Sequence, residues 1–376
     1  MAQPFSQKRR VLILSEGFGA GHTQAAFALA SSLEQRCSSI ETRVVELGSF
    51  FHPMLASWVF SAYKKTISKQ PKLYGRLYRS QYQKSLNPLT QLALHRIFYA
   101  QTAAMIRHWA PQAIVCTHPF PSAVVSRLKR AGLHIPLCTV ITDYDVHGTW
   151  ISREVNKYMV SSEDVKDKLI VHGIAAAHVE ITGIPVHPSF REAHDRTLIR
   201  QQFELSSLPT VLVMGGGWGL IGGDSLSEHL LAWRDQIQFI FCLGHNDKAI
   251  SKLAADPRYQ HPNIHLLGFT QEIGKLMEVS DLLVTKPGGM TCSEGLAKSI
   301  PMLFYDPLPG QEEENVQFFT RHGFGESIQS AATISHWLSM LVSRYADVQA
   351  KRLSNQHKKS HLPAGDGSEV ILALLG

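Results

Sequence analysis

Several short stretches of this chain combine residue types that bind phosphate, move a proton or hold sugar hydroxyls. The first is Gly17-Phe18-Gly19-Ala20-Gly21-His22. Glycines tolerate positive φ and let a ligand approach the backbone closely. A helix starting beyond them offers unpaired N–H groups to an anion. The spacing is not GxGxxG. Glu46, at the end of the following strand, can mimic the ribose acid of a dinucleotide site, but a tight turn alone is the plain structural reading. His22 falls on the helix's first turn with Ala25 and Ala26 on its face. It is either a satisfied core histidine or a base facing a cleft, with a reference pKa near 6.5. A helix N-terminus disfavours the imidazolium and keeps such a ring neutral.

Six of the nine residues from 215 to 223 are glycine, including Gly216 and Gly217. The loop lacks the GK[ST] of a P-loop, which argues against ATPase chemistry. A third stretch runs from Lys286 through Pro287, Gly288, Gly289, Met290 and Thr291 to Glu294. Backbone N–H groups at 289–291 suit a diphosphate, and the Glu294 carboxylate can accept both hydroxyls of a ribose; the alternative is a solvated helix residue. In the fourth, residues 306–315, three glutamates in a first helical turn are explained by the helix dipole alone. Gln311 and Asn315 lie four apart, on one face, and amides both donate to and accept from sugar hydroxyls. Finally, Thr142-Asp143-Tyr144-Asp145 ends a buried strand. Asp143 can orient an acceptor or a histidine there. Asp145 completes a DxD, but without further carboxylates nearby, and without HExxH-like histidine spacing, no metal site is expected.

These stretches need strands and helices to aim them. Apolar runs at 10–14, 42–47, 113–117, 136–141, 158–161 and 178–182 read as parallel strands, with helices between them. A second series follows at 210–214, 238–243, 264–267, 282–285 and 301–305. Parallel strands require crossovers and bury both faces. The expected fold is therefore α/β: two Rossmann-like, doubly wound parallel-sheet domains facing a cleft. Ligands of such sheets bind beyond the carboxyl ends of the strands. The phrase Gly183-Ile184-Pro185-Val186-His187-Pro188 breaks regular structure and sets the expected boundary between a first domain, 1–188, and a second, 189–376. The last helix is a candidate to pack back on the first domain.

At 376 residues and 44% hydrophobic, the chain can fill two ordinary cores. No signal-peptide pattern and no apolar stretch of spanning length is present. Five scattered cysteines without a CxxC suit a reducing compartment and no zinc site. The net charge is only +6, yet no Asp or Glu occurs from Leu47 to Thr142. That stretch carries Lys64, Lys65, Lys69, Lys72, Arg76 and Arg79, interleaved with Phe50, Phe51, Trp58, Phe60, Tyr63, Tyr74 and Tyr78. Two or three helices are expected over 50–108. Rings in the headgroup zone with charges against phosphate suit an anionic membrane surface; an ordinary helix pair with a solvated basic face is the alternative. No nucleic-acid module is recognisable, and no nucleic-acid partner is expected.

Taken together, GFGAGHTQAA (17–26), TDYDVHGTW (142–150), ITGIPVHPSF (181–190), MGGGWGLIGG (214–223), LLGFTQEIGKLM (266–277), KPGGMTCSEGLAKSIPML (286–303) and PLPGQEEEN (307–315) resemble the monogalactosyldiacylglycerol synthase and processive diacylglycerol β-glucosyltransferase family. This family is related to the peptidoglycan N-acetylglucosaminyltransferase. The resemblance covers about 10–330 in family order. GFGAGH departs from the GGGH of the plant enzymes and is closer to the bacterial glucosyl branch. The resemblance implies the GT-B arrangement, a UDP-sugar donor held mainly by the second half, a diacylglycerol acceptor and no tightly bound cofactor. It places His22 as the proposed catalytic histidine and Asp143 as the acidic residue near the acceptor. Phe269 falls where the chain passes the uracil, Glu294 on the ribose, and Gln311 with Glu312 on the sugar. The implied reaction is an inverting single displacement forming a β-glycolipid, with glucose favoured over galactose, carried out peripherally at the cytoplasmic face of the cell membrane. The competing expectations are a UDP-sugar transferase or epimerase with another substrate, and an inactive anionic-surface or nucleic-acid binding protein.

Overall fold

A computed structural model describes residues 8–17, 19–69, 88–216, 219, 221 and 224–376. The chain forms two compact units. One takes the chain up to Pro188 together with Leu308–Gln311 and Pro363–Gly376; the other takes Ser189–Pro307 and Glu312–Leu362.

The first unit is a six-stranded parallel sheet built from Arg9–Ser15 (β1), Ile40–Glu46 (β2), Ala113–Cys116 (β3), Leu137–Val140 (β4), Lys157–Val160 (β5) and Val179–Ile181 (β6). The spatial order is β2-β1-β3-β4-β5-β6. The continuous apolar run in β1 reflects burial on both faces. Val11 and Ile13 pack on Leu29 and Leu33 of helix Ala20–Arg36, whereas Leu12 and Leu14 meet Ile106 and Trp109 of helix Pro88–Trp109. Each such fully buried aliphatic side chain is worth about 1.5–3 kcal/mol.

The C-terminal helix Ser368–Leu374 belongs to this unit. Its Ile371 is fully buried against the Val11 face of the sheet. Arg36 clamps the same segment through Asp366 at 2.9 Å and Glu369 at 2.6 Å. Just before that helix the returning chain meets the segment after β6. A Cβ on Gly183, which has φ +74°, would lie 3.0 Å from the Gly365 Cα. The glycine of the Gly-Ile-Pro phrase is thus a close-approach residue as well as the end of regular structure.

The second unit repeats the plan with Thr210–Met214 (β7), Gln238–Cys242 (β8), Ile264–Leu267 (β9), Leu282–Thr285 (β10), Met302–Phe304 (β11) and Gly325–Ser327 (β12). The order is β12-β11-β10-β7-β8-β9, again all parallel. β12 is the strand that the apolar pattern does not announce. It is a short edge strand, Gly-Glu-Ser, paired with β11, and its Glu326 accepts from Trp337 Nε1 at 2.9 Å. The basic-aromatic region contains helices Leu47–Phe51, Pro53–Lys69 and Pro88–Trp109, while 70–87 lies outside the described residues. Among the described residues no helix is long and apolar enough to cross a membrane.

At the amino edge of the second sheet, Asp281 is fully buried. Its carboxylate accepts from the Thr210 N–H at 2.8 Å, Arg196 at 3.1 Å, Tyr345 at 2.7 Å and Gln349 at 3.3 Å. It ties β7, β10 and two helices together at the end of the sheet away from the glycine loops. Removing a carboxylate of this kind strands its buried donors. Asp281→Ala is therefore expected to lower unfolding stability in urea by about 3 kcal/mol, with little change in turnover per folded molecule. Wild-type stability in that variant would contradict this reading.

Candidate active site

In the first sheet the connections leave β1 in one direction and return to β3 on its other side. The crevice outside these two carboxyl ends is the switch point where ligands of open α/β sheets bind. His22 stands at this point, in the first turn of helix Ala20–Arg36, with Gly21 before it. Its Nδ1 lies 3.1 Å from the Thr117 carbonyl oxygen and 2.7 Å from the Thr142 hydroxyl. A carbonyl only accepts, so Nδ1 carries the proton and Nε2 keeps its lone pair. Burial pushes the ring's pKa down to about 4; the Thr117 bond opposes this and His147 adds to it. The ring is neutral chiefly because it is desolvated, a stronger cause than the helix end invoked from sequence.

A second imidazole and an indole lie against it. His118 meets His22 edge-on with ring centroids 4.7 Å apart, and Trp150 lies at 6.1 Å. His118 caps helix Pro119–Arg130: its Nδ1 accepts from the Phe120 N–H at 3.1 Å, which leaves the proton on Nε2. Burial holds the His118 ring well below the ordinary histidine range, and holds His147 at about 4. Behind them, Glu16 is buried at the end of β1 and accepts from the Gly48 N–H at 2.8 Å and the Gly17 N–H at 3.3 Å. Burial pushes its carboxyl up to about 7, with Glu46 adding a smaller push. Glu46 itself accepts from the Thr23 hydroxyl, so this carboxylate is engaged inside the fold.

Asp143 is buried, and its carboxylate accepts from Gln311 Nε2 at 2.5 Å. The two hydrogen bonds of His22 Nδ1 go to Thr117 and Thr142; a threonine pair, not a carboxylate, meets the ring directly. Asp145 is also buried and forms an ion pair with Lys168 at 2.5 Å, which accounts for the DxD. Among the described residues no group of three or more His, Cys, Asp or Glu could hold a metal ion.

In the second sheet the corresponding crevice lies between β7 and β10. Tyr305 donates to the Met214 carbonyl at 2.9 Å, and Thr285 to the same oxygen at 3.3 Å, binding the strand ends beneath the loops. Gly216 has φ +65°. Gly217, with Trp218, Leu220, Gly222 and Gly223, lies outside the described residues. A Cβ on Gly219 would fall 1.9 Å from the Leu243 carbonyl oxygen, so the loop after β7 rests directly on the loop after β8. Helix Gly289–Ala297 begins after Gly288 with no side-chain cap and no acid in its first turn. The N–H groups of Gly289, Met290 and Thr291 occupy that turn, where an α-helix leaves donors unpaired. Lys286 donates to the Asp306 carbonyl at 3.3 Å and flanks the same turn. Glu294 is half-buried, and burial pushes its carboxyl up to about 8.

Phe269 is 52% exposed beyond β9, its ring stacked on His245 at 4.3 Å. Glu312 is half-buried in the first turn of helix Gln311–Arg321. Asn315, expected as a sugar-facing amide, is placed differently from Gln311. It is fully buried, and its Nδ2 donates to the Pro287 carbonyl at 2.9 Å. It shapes the Lys286–Gly288 turn from behind, because position 315 of that helix faces inward while position 311 does not. Thr23, Thr117, His118 and Trp150 were not singled out as site residues from sequence. Their signal was positional: each lies within the first residues beyond a strand's carboxyl end or on the helix that follows.

A monogalactosyldiacylglycerol (MGDG) synthase model matches residues 22–186, and a glycosyltransferase family 28 C-terminal domain model matches 210–371. A processive diacylglycerol beta-glucosyltransferase of Staphylococcus epidermidis is 31% identical over 85% of this chain and 81% of its own length. The Bacillus subtilis protein of the same description is 30% identical over 97% of this chain and 94% of its own. Among solved structures, MurG of Acinetobacter baumannii superposes with a TM-score of 0.58 at 15% identity, covering 98% of this chain and 99% of that one, which speaks for the fold alone. With its sheets, its loops and relatives of this identity and coverage all in agreement, the chain belongs to the monogalactosyldiacylglycerol synthase and processive diacylglycerol beta-glucosyltransferase family.

Proposed function

We infer that this protein is an inverting glycosyltransferase that moves glucose from UDP-glucose to the 3-hydroxyl of 1,2-diacylglycerol, forming a β-glucolipid. The observation that carries the reading is a neutral imidazole, with its unprotonated Nε2 left over, at the carboxyl edge of the first sheet in a chain of this family. His22 Nε2 takes the hydroxyl proton as the oxygen attacks the anomeric carbon. The C–O bond to the diphosphate breaks as the new one forms, and UDP leaves. The unpaired N–H groups of 289–291, with Lys286, neutralise the charge arriving on the diphosphate. Glu294 accepts from the ribose, Phe269 lies against the uracil, and Gly216 and Gly217 let the backbone approach the phosphates. Asp143, Gln311 and Glu312 supply acceptors and a donor to sugar hydroxyls. Attack opposite the leaving group converts an α-linked donor into a β-glycoside.

The first unit also carries the features of a membrane-facing surface. Met54 and Trp58, 88% and 71% exposed, lie one helical turn apart on Pro53–Lys69. The neighbouring Phe50 has the Arg43 guanidinium over its ring at 5.8 Å. Exposed apolar side chains in an acid-free stretch suit peripheral attachment to the anionic, cytoplasmic face of a membrane.

Incubation of the chain with diacylglycerol and a panel of UDP-sugars, with mass and linkage analysis of the lipid product, is expected to yield β-glucosyl diacylglycerol from UDP-glucose. A product formed without diacylglycerol, or none with any UDP-sugar, would overturn the assignment. His22→Ala is expected to lower kcat about 100- to 10,000-fold with UDP affinity within about twofold. Because burial has already moved its titration to about 4, the His22 ring stays neutral between pH 7.5 and 6; an NMR midpoint near the ordinary histidine value would contradict this. The chain should sediment with vesicles containing anionic lipid and far less with zwitterionic ones. Equal, negligible binding to both would remove the membrane reading.

A further inference from the structure

Behind His22 a row of polar side chains, most of them buried, crosses the carboxyl edge of the first sheet. Glu46 ends β2 and Ser15 ends β1, directly opposite each other in register. Thr117 follows β3 and Thr142 follows β4. Ser15 and Thr117 are wholly buried, and Thr142 nearly so. Hydroxyls in such places are costly unless bonded, and an alanine or valine row would fill the same volume without that cost. The bonds they make all lead to one ring. Thr23 donates to Glu46 Oε1 at 2.5 Å, and its oxygen lies 3.5 Å from Ser15 Oγ. Ser15 Oγ accepts from the Thr117 hydroxyl at 2.9 Å, and the Thr117 carbonyl receives His22 Nδ1 at 3.1 Å. Thr23 is the chain neighbour of His22, so the path closes on itself around the imidazole.

We propose that Glu46, Thr23, Ser15 and Thr117 are positioning residues that fix the His22 ring for proton abstraction, an inference that rests on His22 being the base. The helix bearing His22 begins after Gly19 with no side-chain cap and no acidic residue in its first turn. The usual devices for locking a first turn are missing, and the Thr23–Glu46 bond takes their place. The network orients and does not conduct. Its last link to His22 is a carbonyl, which accepts a hydrogen bond but passes no proton. The geometric demand is strict, because a displacement of about 1 Å at a reacting group costs about 100-fold in rate.

The test compares Thr23→Val, Thr23→Ser, Glu46→Gln, His22→Ala and the double variant His22→Ala with Thr23→Val in full-length protein, reading kcat, KM for UDP-glucose and the thermal midpoint. Thr23→Val and Glu46→Gln are expected to lower kcat about 10- to 100-fold with KM within twofold. Thr23→Ser, which keeps the hydroxyl, should restore most of the rate. The double variant should be no slower than His22→Ala. Wild-type kcat in both Thr23→Val and Glu46→Gln, or Thr23→Ser as slow as Thr23→Val, overturns the network. So does a rate loss matched by a rise in KM and collapse of the fold, which is a purely structural effect. Should Thr23→Val fail to fold, Glu46→Gln and Thr23→Ser decide alone. Near-normal turnover in His22→Ala sinks the base reading and the network with it; a slow His22→Ala beside a normal Thr23→Val sinks only the network.

Discussion

An imidazole acts as a base only through the nitrogen that has no proton, and here the carbonyl of Thr117 makes that choice. By accepting from Nδ1 it leaves the lone pair on Nε2. Desolvation then keeps the ring neutral far below neutral pH. Both conditions come from position. Thr117 follows a strand adjacent to β1, and the ring lies against His118 and Trp150. In water the same histidine would be partly protonated and would carry either tautomer.

Parallel sheets make such positioning economical. Every strand runs the same way, so every loop after a strand opens on one edge. The two units use that edge differently. In the first, polar side chains after β1, β3 and β4 converge on an imidazole. In the second, the helix after β10 starts with uncapped N–H groups at 289–291, and Tyr305 and Thr285 hold the ends of β7 and β10 beneath it. The opposite edge carries structural work, with Asp281 gathering four donors into one buried carboxylate. Separating stability from chemistry in this way leaves the loops free of the demands of the core.

Carboxylates illustrate how much depends on surroundings. Asp145, Glu16, Glu294 and Asp281 are the same chemistry in sequence. Asp145 is neutralised by Lys168. Glu16 and Glu294 are raised by burial toward and beyond neutrality. Asp281 is satisfied by donors from four directions. Likewise Gln311 and Asn315, four apart on one helix, part ways: one amide reaches the Asp143 carboxylate, the other turns inward to brace Pro287.

The amino-acid pattern by itself determined the class of fold. Runs such as VLIL at 11–14 and TVLVM at 210–214 are too short for helices and are bounded by glycine loops, and they alternate with helical segments, which reads as parallel strands buried on both faces. It also marked His22, Glu294 and the turn at 286–289, since glycine and helix-start chemistry are local. Edge strand β12 escaped it, having no apolar run to betray it. Tertiary structure alone decided which nitrogen of His22 is free, which carboxylates are spent and that Asn315 is a brace. Hydrogen-bond partners and desolvation arise between residues such as 22 and 117, or 287 and 315. Their separation along the chain carries no trace of their meeting in space.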